Sequence, residues 1–307
     1  MALLCNADLG GLVLATRDAL ATALYVQIDD FLLTQEDLHH PQRGGRPPKI
    51  SDAELITLAV CQMFLGVPGD RRFLAIAAWR LGHLFPYLPK QPGYNKRLRA
   101  LAPAIGRCVT HLALVSPSFC DGLRLLDSTP LPCGQSRETV KRSELAGSAA
   151  YGYCASHSRK FWGYRLYLLC ASDGMPIRFE LAPANVGERE VTIQMLEGLD
   201  LAGYTVLADK GFAGEDFEDF IASLRADFRR PDRKGQAPRF GNLGGTRQWI
   251  ESAIWTLKDT LTLERHGART TPGVGARVGL RLLALAAGLW HNWQINDPGR
   301  QFTAYTH

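Results

Sequence analysis

Two short, β-branched and apolar runs in this chain each stop at an aspartate. Residues 122–131 (Gly-Leu-Arg-Leu-Leu-Asp-Ser-Thr-Pro-Leu) stop at Asp127, and residues 204–212 (Tyr-Thr-Val-Leu-Ala-Asp-Lys-Gly-Phe) stop at Asp209. Apolar runs of this length, bounded by turn formers, read as buried strands. A carboxylate at the end of such a strand needs a partner, because desolvating it alone is costly. A turn cap made with Ser128, Thr129 and Pro130 would account for Asp127 taken singly. Two strands ending alike point instead to carboxylates set side by side, whose repulsion is relieved by a cation between them. Oxygen-only sites of this kind suit Mg²⁺ or Mn²⁺.

The elements between and after these strands restrict the sheet. Residues 135–159 read as a polar, basic connection and residues 160–171 as a long strand. Asp173-Gly174 makes a hairpin turn into a third strand at 176–182. A helix at 188–199 crosses to the Asp209 strand, and a helix at 215–225 and a short strand at 227–230 follow. A Gly- and Arg-rich loop at 231–246 leads to a closing helix at 248–263. The order is that of an RNase H-like, mixed five-stranded α/β sheet with flanking helices, in which the first and fourth strands are neighbours. Asp127 and Asp209, 82 positions apart, would then meet at one edge of the sheet.

The closing helix offers a third acid, Glu251, 42 positions after Asp209. Arg247, Glu251 and Lys258 follow one another at offsets of four and seven, so they share one helical face. A surface ladder of ion pairs explains that helix equally well on its own. Beside two strand-end aspartates, a metal ligand flanked by two phosphate-seeking cations is the better reading, with Lys210 a further candidate for phosphate contact. Trp162, Tyr164, Trp249 and Trp255 are available to stack on a displaced base, but their spacings favour core packing. His157 reads as a solvated loop residue, Asp173 as part of the hairpin turn and Asp216 as a helix start.

The first 120 residues are helical in texture and read as a separate domain with a probable DNA-binding role. Residues 12–33 form an amphipathic helix, and residues 39–49 a Pro/Gly/basic linker around Arg46 that also fits an arm lying in the minor groove. Ser51 and Glu54 form a capping box that opens a helix over 52–64. Further helices are expected at 71–84 and from 95 to about 115. The three helices fit either a helix-turn-helix reader, with Lys96 and Arg97 as phosphate contacts, or a plain helical cap.

Composition narrows the partner. At 307 residues and 46% hydrophobic the chain can bury a large core. Its net charge of +5 is unevenly spread, with basic clusters at 90–99, 137–165, 225–247 and 265–281 against an acidic stretch at 188–219. Several basic clusters in one chain point to a polyanion. Seven cysteines without a Cys-x-x-Cys pair give no zinc knuckle and no disulfide framework, which fits a reducing cytoplasm. No basic segment precedes Asp8, against a signal peptide. The apolar segment 278–293 is broken by Arg281, His291 and Asn292 and reads as a core helix rather than a membrane span.

The chain resembles the DDE transposases of bacterial insertion sequences, and most closely the insertion sequence 982 type. The matching stretches are residues 45–55, 126–131 (Leu-Asp-Ser-Thr-Pro-Leu), 160–166 (Lys-Phe-Trp-Gly-Tyr-Arg-Leu), 207–212 (Leu-Ala-Asp-Lys-Gly-Phe), 247–258 and 264–269 (Glu-Arg-His-Gly-Ala-Arg). The resemblance implies a catalytic domain over 121–293 whose two Asp and one Glu map onto Asp127, Asp209 and Glu251, followed by a tail at 294–307. A related Tyr-x2-Arg-x3-Glu-x6-Lys signature keeps Arg247, Glu251 and Lys258 but has Gly244 in the Tyr place. The resemblance implies two Mg²⁺ or Mn²⁺ ions about 3.5–4 Å apart. It also implies DNA as partner, both element terminal repeats and target, with a homodimer or higher oligomer on DNA, no membrane, and a cytoplasmic, nucleoid-associated location. An RNase H-like nuclease that cuts without joining, or an inactive DNA-binding derivative, are the alternatives.

Overall fold

The computed structural model describes residues 16–38, 47–134, 136–154, 158–232, 239–240, 243–297 and 299–306. The expected minor-groove arm, including Arg46, falls largely outside them, as does His157.

Five helices come first: α1 (Arg17–Leu33), α2 (Asp52–Phe64), α3 (Asp70–Arg80), α4 (Gln91–Ala100) and α5 (Ala102–Leu114). The capping box is present in full. Ser51 Oγ accepts from the Glu54 N–H at 3.0 Å, and a Glu54 carboxylate oxygen accepts from the Ser51 N–H at 2.6 Å. α2 is apolar on nearly every side and correspondingly buried, packing against α1 and against a late helix described below. The single helix expected from 95 to about 115 is two helices. The chain leaves helical geometry at Leu101, and Pro103, which lacks an N–H, begins α5 in the first turn where none is needed.

The sheet contains six strands among the described residues: β1 (Leu123–Gly134), β2 (Ala150–Cys154), β3 (Arg159–Cys170), β4 (Pro176–Pro183), β5 (Thr205–Leu207) and β6 (Asp227–Arg229). They run in the order β2-β3-β1-β5-β6, and β4 pairs with the later half of β3. β3 is antiparallel to β1, β2 and β4, while β5 is parallel to both β1 and β6. This mixed α/β architecture is consistent with an RNase H-like fold, and the strands carrying Asp127 and Asp209 are indeed neighbours.

Two expectations need correction. β1 does not end at Asp127 but continues to Gly134, paired with β3. Past Leu125 it has no β5 partner, so Pro130 and Pro132 lie on an open edge where a missing N–H is tolerated. The connection at 135–159 is not irregular: it holds a short helix, α6 (Arg137–Arg142), and β2, a strand not expected. At the β1 bulge between Pro132 and Gly134, Gly163 adopts a φ of +157°, and a Cβ there would lie 2.2 Å from the Leu131 carbonyl oxygen. Only glycine allows β3 so close.

The later helices are α7 (Glu188–Leu196), α8 (Glu215–Ser223), α9 (Gly244–Lys258), α10 (Thr271–Gln294) and α11 (Thr303–Thr306). α10 starts seven residues before the expected apolar segment, and its 24 residues are long and apolar enough to cross a membrane. It is nevertheless buried inside the protein, packed against α5, α2, α1 and α4. Its buried Arg281 donates to the Thr262 and Arg277 carbonyl oxygens, and burial lowers its pKa to about 10, which leaves it charged at neutral pH. One hydrophobic core runs from Leu20 to Tyr305 and joins the first helices to the sheet.

A polar network ties four helices together within that core. Asp70 accepts from Arg277 at 2.5 Å and from Gln62 Nε2 at 3.0 Å, and Tyr94 OH donates to Gln62 Oε1 at 2.8 Å. The segment after α10 folds back: Arg300 donates to the carbonyl oxygen of Asp173 in the β3–β4 turn, and the Tyr305 hydroxyl lies 2.8 Å from His291 Nδ1. A 3₁₀ turn at Leu263–Arg265 docks on β1 through the buried His266. Nδ1 of this ring accepts from the Ala268 N–H, and its Nε2 lies 3.7 Å from Cys133 Sγ. Burial lowers the pKa of His266 to about 4 and raises that of the Cys133 thiol to about 11, so the pair is neutral.

Candidate active site

Asp127 and Asp209 are set by strand register. β1 and β5 pair in parallel with a constant offset, Leu123 with Thr205 through Leu125 with Leu207, which is the same 82 positions that separate the two aspartates. The β5 backbone stays extended beyond the last paired residue: Ala208 N–H still donates to the Arg229 carbonyl on β6, and Asp209 has φ −76° and ψ 162°. Asp127 and Asp209 each follow the last pair, Leu125 with Leu207, by two residues. Both carboxylates are partly exposed, and Asp127 Oδ1 accepts from the Ser128 N–H at 2.7 Å.

α9 packs against β1 and carries Glu251, which is exposed. The helix buries Ile250, Ala253 and Leu257. Glu251, Trp255 and Lys258 fall on another face, at the four- and three-residue steps that bring helical side chains into line. Lys258 is 24% exposed and pairs with Glu264 at 3.3 Å, so it is already engaged, though an ion pair this open is weak. The side chain of Arg247 lies outside the described residues.

The sequence model for the family described as Transposase DDE domain matches residues 118–287, more than half of the chain. The chain belongs to the DDE transposase family. No curated protein matches it. The matched span takes in β1, β5, α9 and most of α10, hence all three acids. Membership makes this a nucleic-acid phosphoryl-transfer enzyme of a family that acts on DNA and generally uses divalent metal ions.

The donor chemistry of the transposase fits a hard cation in part. Two carboxylates on adjacent strands match Mg²⁺, which takes one or two protein carboxylates and keeps several waters. Among the described residues no three His, Cys, Asp or Glu side chains are grouped closely enough to hold a metal ion, so Glu251 does not complete a three-ligand set in this conformation. The softer Cys133 and His266 lie near the far end of β1 and are neutral.

The other candidates fall into different surroundings. Lys210, in the 3₁₀ turn after Asp209, and Lys96, on α4, are exposed. Arg97 is not: its guanidinium donates to the Ile50 carbonyl at 2.9 Å and to Asp52 at 2.5 Å, clamping α4 to the start of α2. Trp162 and Tyr164 are core residues as expected, but Trp249 and Trp255 are 44% and 62% exposed, against the packing expected of them. The transposase also has a feature that the sequence did not single out. Glu188, at the start of α7, accepts from Ser128 Oγ at 3.0 Å and from Arg165 at 2.7 Å. A Cβ on Gly211 would lie 3.1 Å from its other carboxylate oxygen. Glu188 thus bridges the residue after Asp127 and the turn after Asp209. Ser128 faces the side of the sheet opposite Asp127, so this bridge braces both strand ends from behind.

Proposed function

We propose that the chain is a DNA transposase that cuts at the ends of an insertion sequence of the 982 type and joins those ends to target DNA. The parallel pairing of β1 with β5, which stops two residues before Asp127 on one strand and two residues before Asp209 on the other, supports this reading. Asp127 and Asp209 would hold the divalent cations, two Mg²⁺ or Mn²⁺, through their carboxylate oxygens, with Glu251 of α9 as the third acid. When bound, such a pair supplies positive charge against the attacking and leaving oxygens of an in-line displacement at phosphorus. Water first adds to the phosphorus at the element end and the P–O3′ bond breaks, freeing a 3′-hydroxyl. The oxygen of that hydroxyl then bonds to a target phosphorus, the target P–O3′ bond breaks and a target 3′-hydroxyl leaves with the proton given up by the attacker, so one P–O bond is exchanged for another.

Arg247, Lys258 and Lys210 orient the phosphates flanking the cut, and Lys96 and Arg46 contact DNA further out. Such contacts fix position without reading sequence. Trp255, exposed between Glu251 and Lys258, is available to stack on an unpaired base. Two ends must be held at once, so the working form on DNA is a dimer or larger, acting at the nucleoid.

The test is incubation of the protein with labelled end-bearing DNA and Mg²⁺ or Mn²⁺, beside Asp127→Asn, Asp209→Asn and Glu251→Gln. The parent should yield cut and joined products, and each variant should lose both. Variants that cut as well as the parent would remove these residues from the chemistry, and cutting without joining would make the protein a nuclease.

A further inference from the structure

A cleft of about 740 Å³ opens at the far end of β1, between β2, the start of β3, α6 and the turn holding His266. Its lining includes Arg137, Arg159, Lys160 and Arg265, all exposed, and none of them has an ion-pair partner among the described residues. The acid in the lining, Glu264, is paired with Lys258. Tyr151 forms part of the rim and is 57% exposed, and Tyr153, two positions along the same side of β2, is 53% exposed. Among the described residues β2 pairs with β3 alone. Bare aromatic rings on an edge strand invite unwanted association, and proteins ordinarily place charge or proline there instead.

We propose that this cleft binds an unpaired DNA strand, with phosphates on Arg137, Arg159, Lys160 and Arg265 and a base stacked on Tyr151. The inference rests on the transposase reading and extends it to the path of the DNA. Cations that track a backbone beside aromatic faces are the means by which single strands are held without regard to sequence. The volume lies in the range that encloses a small molecule, which admits nucleotides one after another but not a duplex. Two routes lead to the cleft from the carboxylates. Along β1, Pro132 is five residues beyond Asp127, roughly 17 Å at strand rise. Along α9, Lys258 is seven residues beyond Glu251, roughly 10 Å at helical rise, and its ion pair with Glu264 reaches the lining.

The experiment measures binding of a short fluorescein-labelled oligodeoxynucleotide, and of the same sequence as a duplex, by anisotropy over a range of salt without divalent metal. The variants are R137Q/R159Q/K160Q/R265Q and, separately, Tyr151→Ala, with the thermal melt of each compared with the parent. Loss of four phosphate contacts should make the salt slope for the single strand shallower by about 3. Tyr151→Ala should weaken it about five- to 100-fold at fixed salt. An unchanged slope together with unchanged Tyr151→Ala affinity overturns the proposal. So does an equal loss for the duplex, which would make the surface a ledge for double helix. If the acid variants cut normally while the cleft variants lose the strand, the active-site assignment fails and the cleft stands; the reverse result rejects the cleft alone.

Discussion

Asp70 and Asp127 are both carboxylates in a fold dominated by apolar packing, and their surroundings separate two uses of charge. Asp70 is 8% exposed and enclosed by Arg277 and Gln62, in a network whose members bond to one another. Asp127 is partly exposed and stands where β1 has no β5 partner, two residues past their last pair. A charge enclosed in a network that spans four helices fixes the packing of those helices. A carboxylate near a like charge at the rim of a sheet favours a cation.

The contrast can be broken by moving the effect of a mutation from one column to the other. Asp127→Asn should lower strand cleavage by at least about a hundredfold and leave the thermal midpoint unchanged or slightly raised. Asp70→Asn, which leaves Arg277 without its partner, should cost on the order of 3 kcal/mol in denaturant titration. Replacing the pair together, as D70L/R277M, should recover most of that loss, because no uncompensated charge remains. A destabilised Asp127→Asn, or an Asp70→Asn that melts like the parent, would erase the distinction.

His266 sharpens it through pH. The ring is neutral in the fold, with its pKa near 4, whereas an unfolded histidine takes up a proton below about 6.5. The unfolded state therefore binds the extra proton first. Stability is fully present above pH 6.5 and declines as pH falls toward 4, by on the order of 3 kcal/mol. His266→Gln should flatten that part of the stability–pH curve. The smallest effect is expected at a site with no buried charge: Ser51→Ala removes the hydroxyl half of the capping box and should cost about 1 kcal/mol in thermal or chemical unfolding.

Much of this was legible in the residues because local chemistry and fold agreed. The capping box at Ser51 and the turn at Asp173-Gly174 depend on neighbours in sequence, and each is found where it was expected. What was missed depends on distant partners. β2 lies in a polar stretch and becomes a strand because the first half of β3 offers an edge. β1 passes through two prolines because β5 has already ended beside it. Arg97 looked like a phosphate contact, yet Asp52 claims it from 45 positions away. Trp255 carries the apolar weight of a core residue, but the buried stripe of α9 is filled by smaller side chains. For the site, the adjacency of β1 and β5 follows from the element order, whereas Glu188 depends on Arg165 and Ser128, 23 and 60 positions away.

The ion pair between Asp70 and Arg277 spans 207 positions. At the roughly 5–20 residues per second of translation, α3 waits on the order of 10–40 seconds for the helix that completes its network. Through that interval the apolar sides of α2 and α5, which α10 will cover, have no native cover. A nascent chain is therefore most open to chaperone capture and aggregation while its sheet is being made, and closure of the first helices is among the last events of folding.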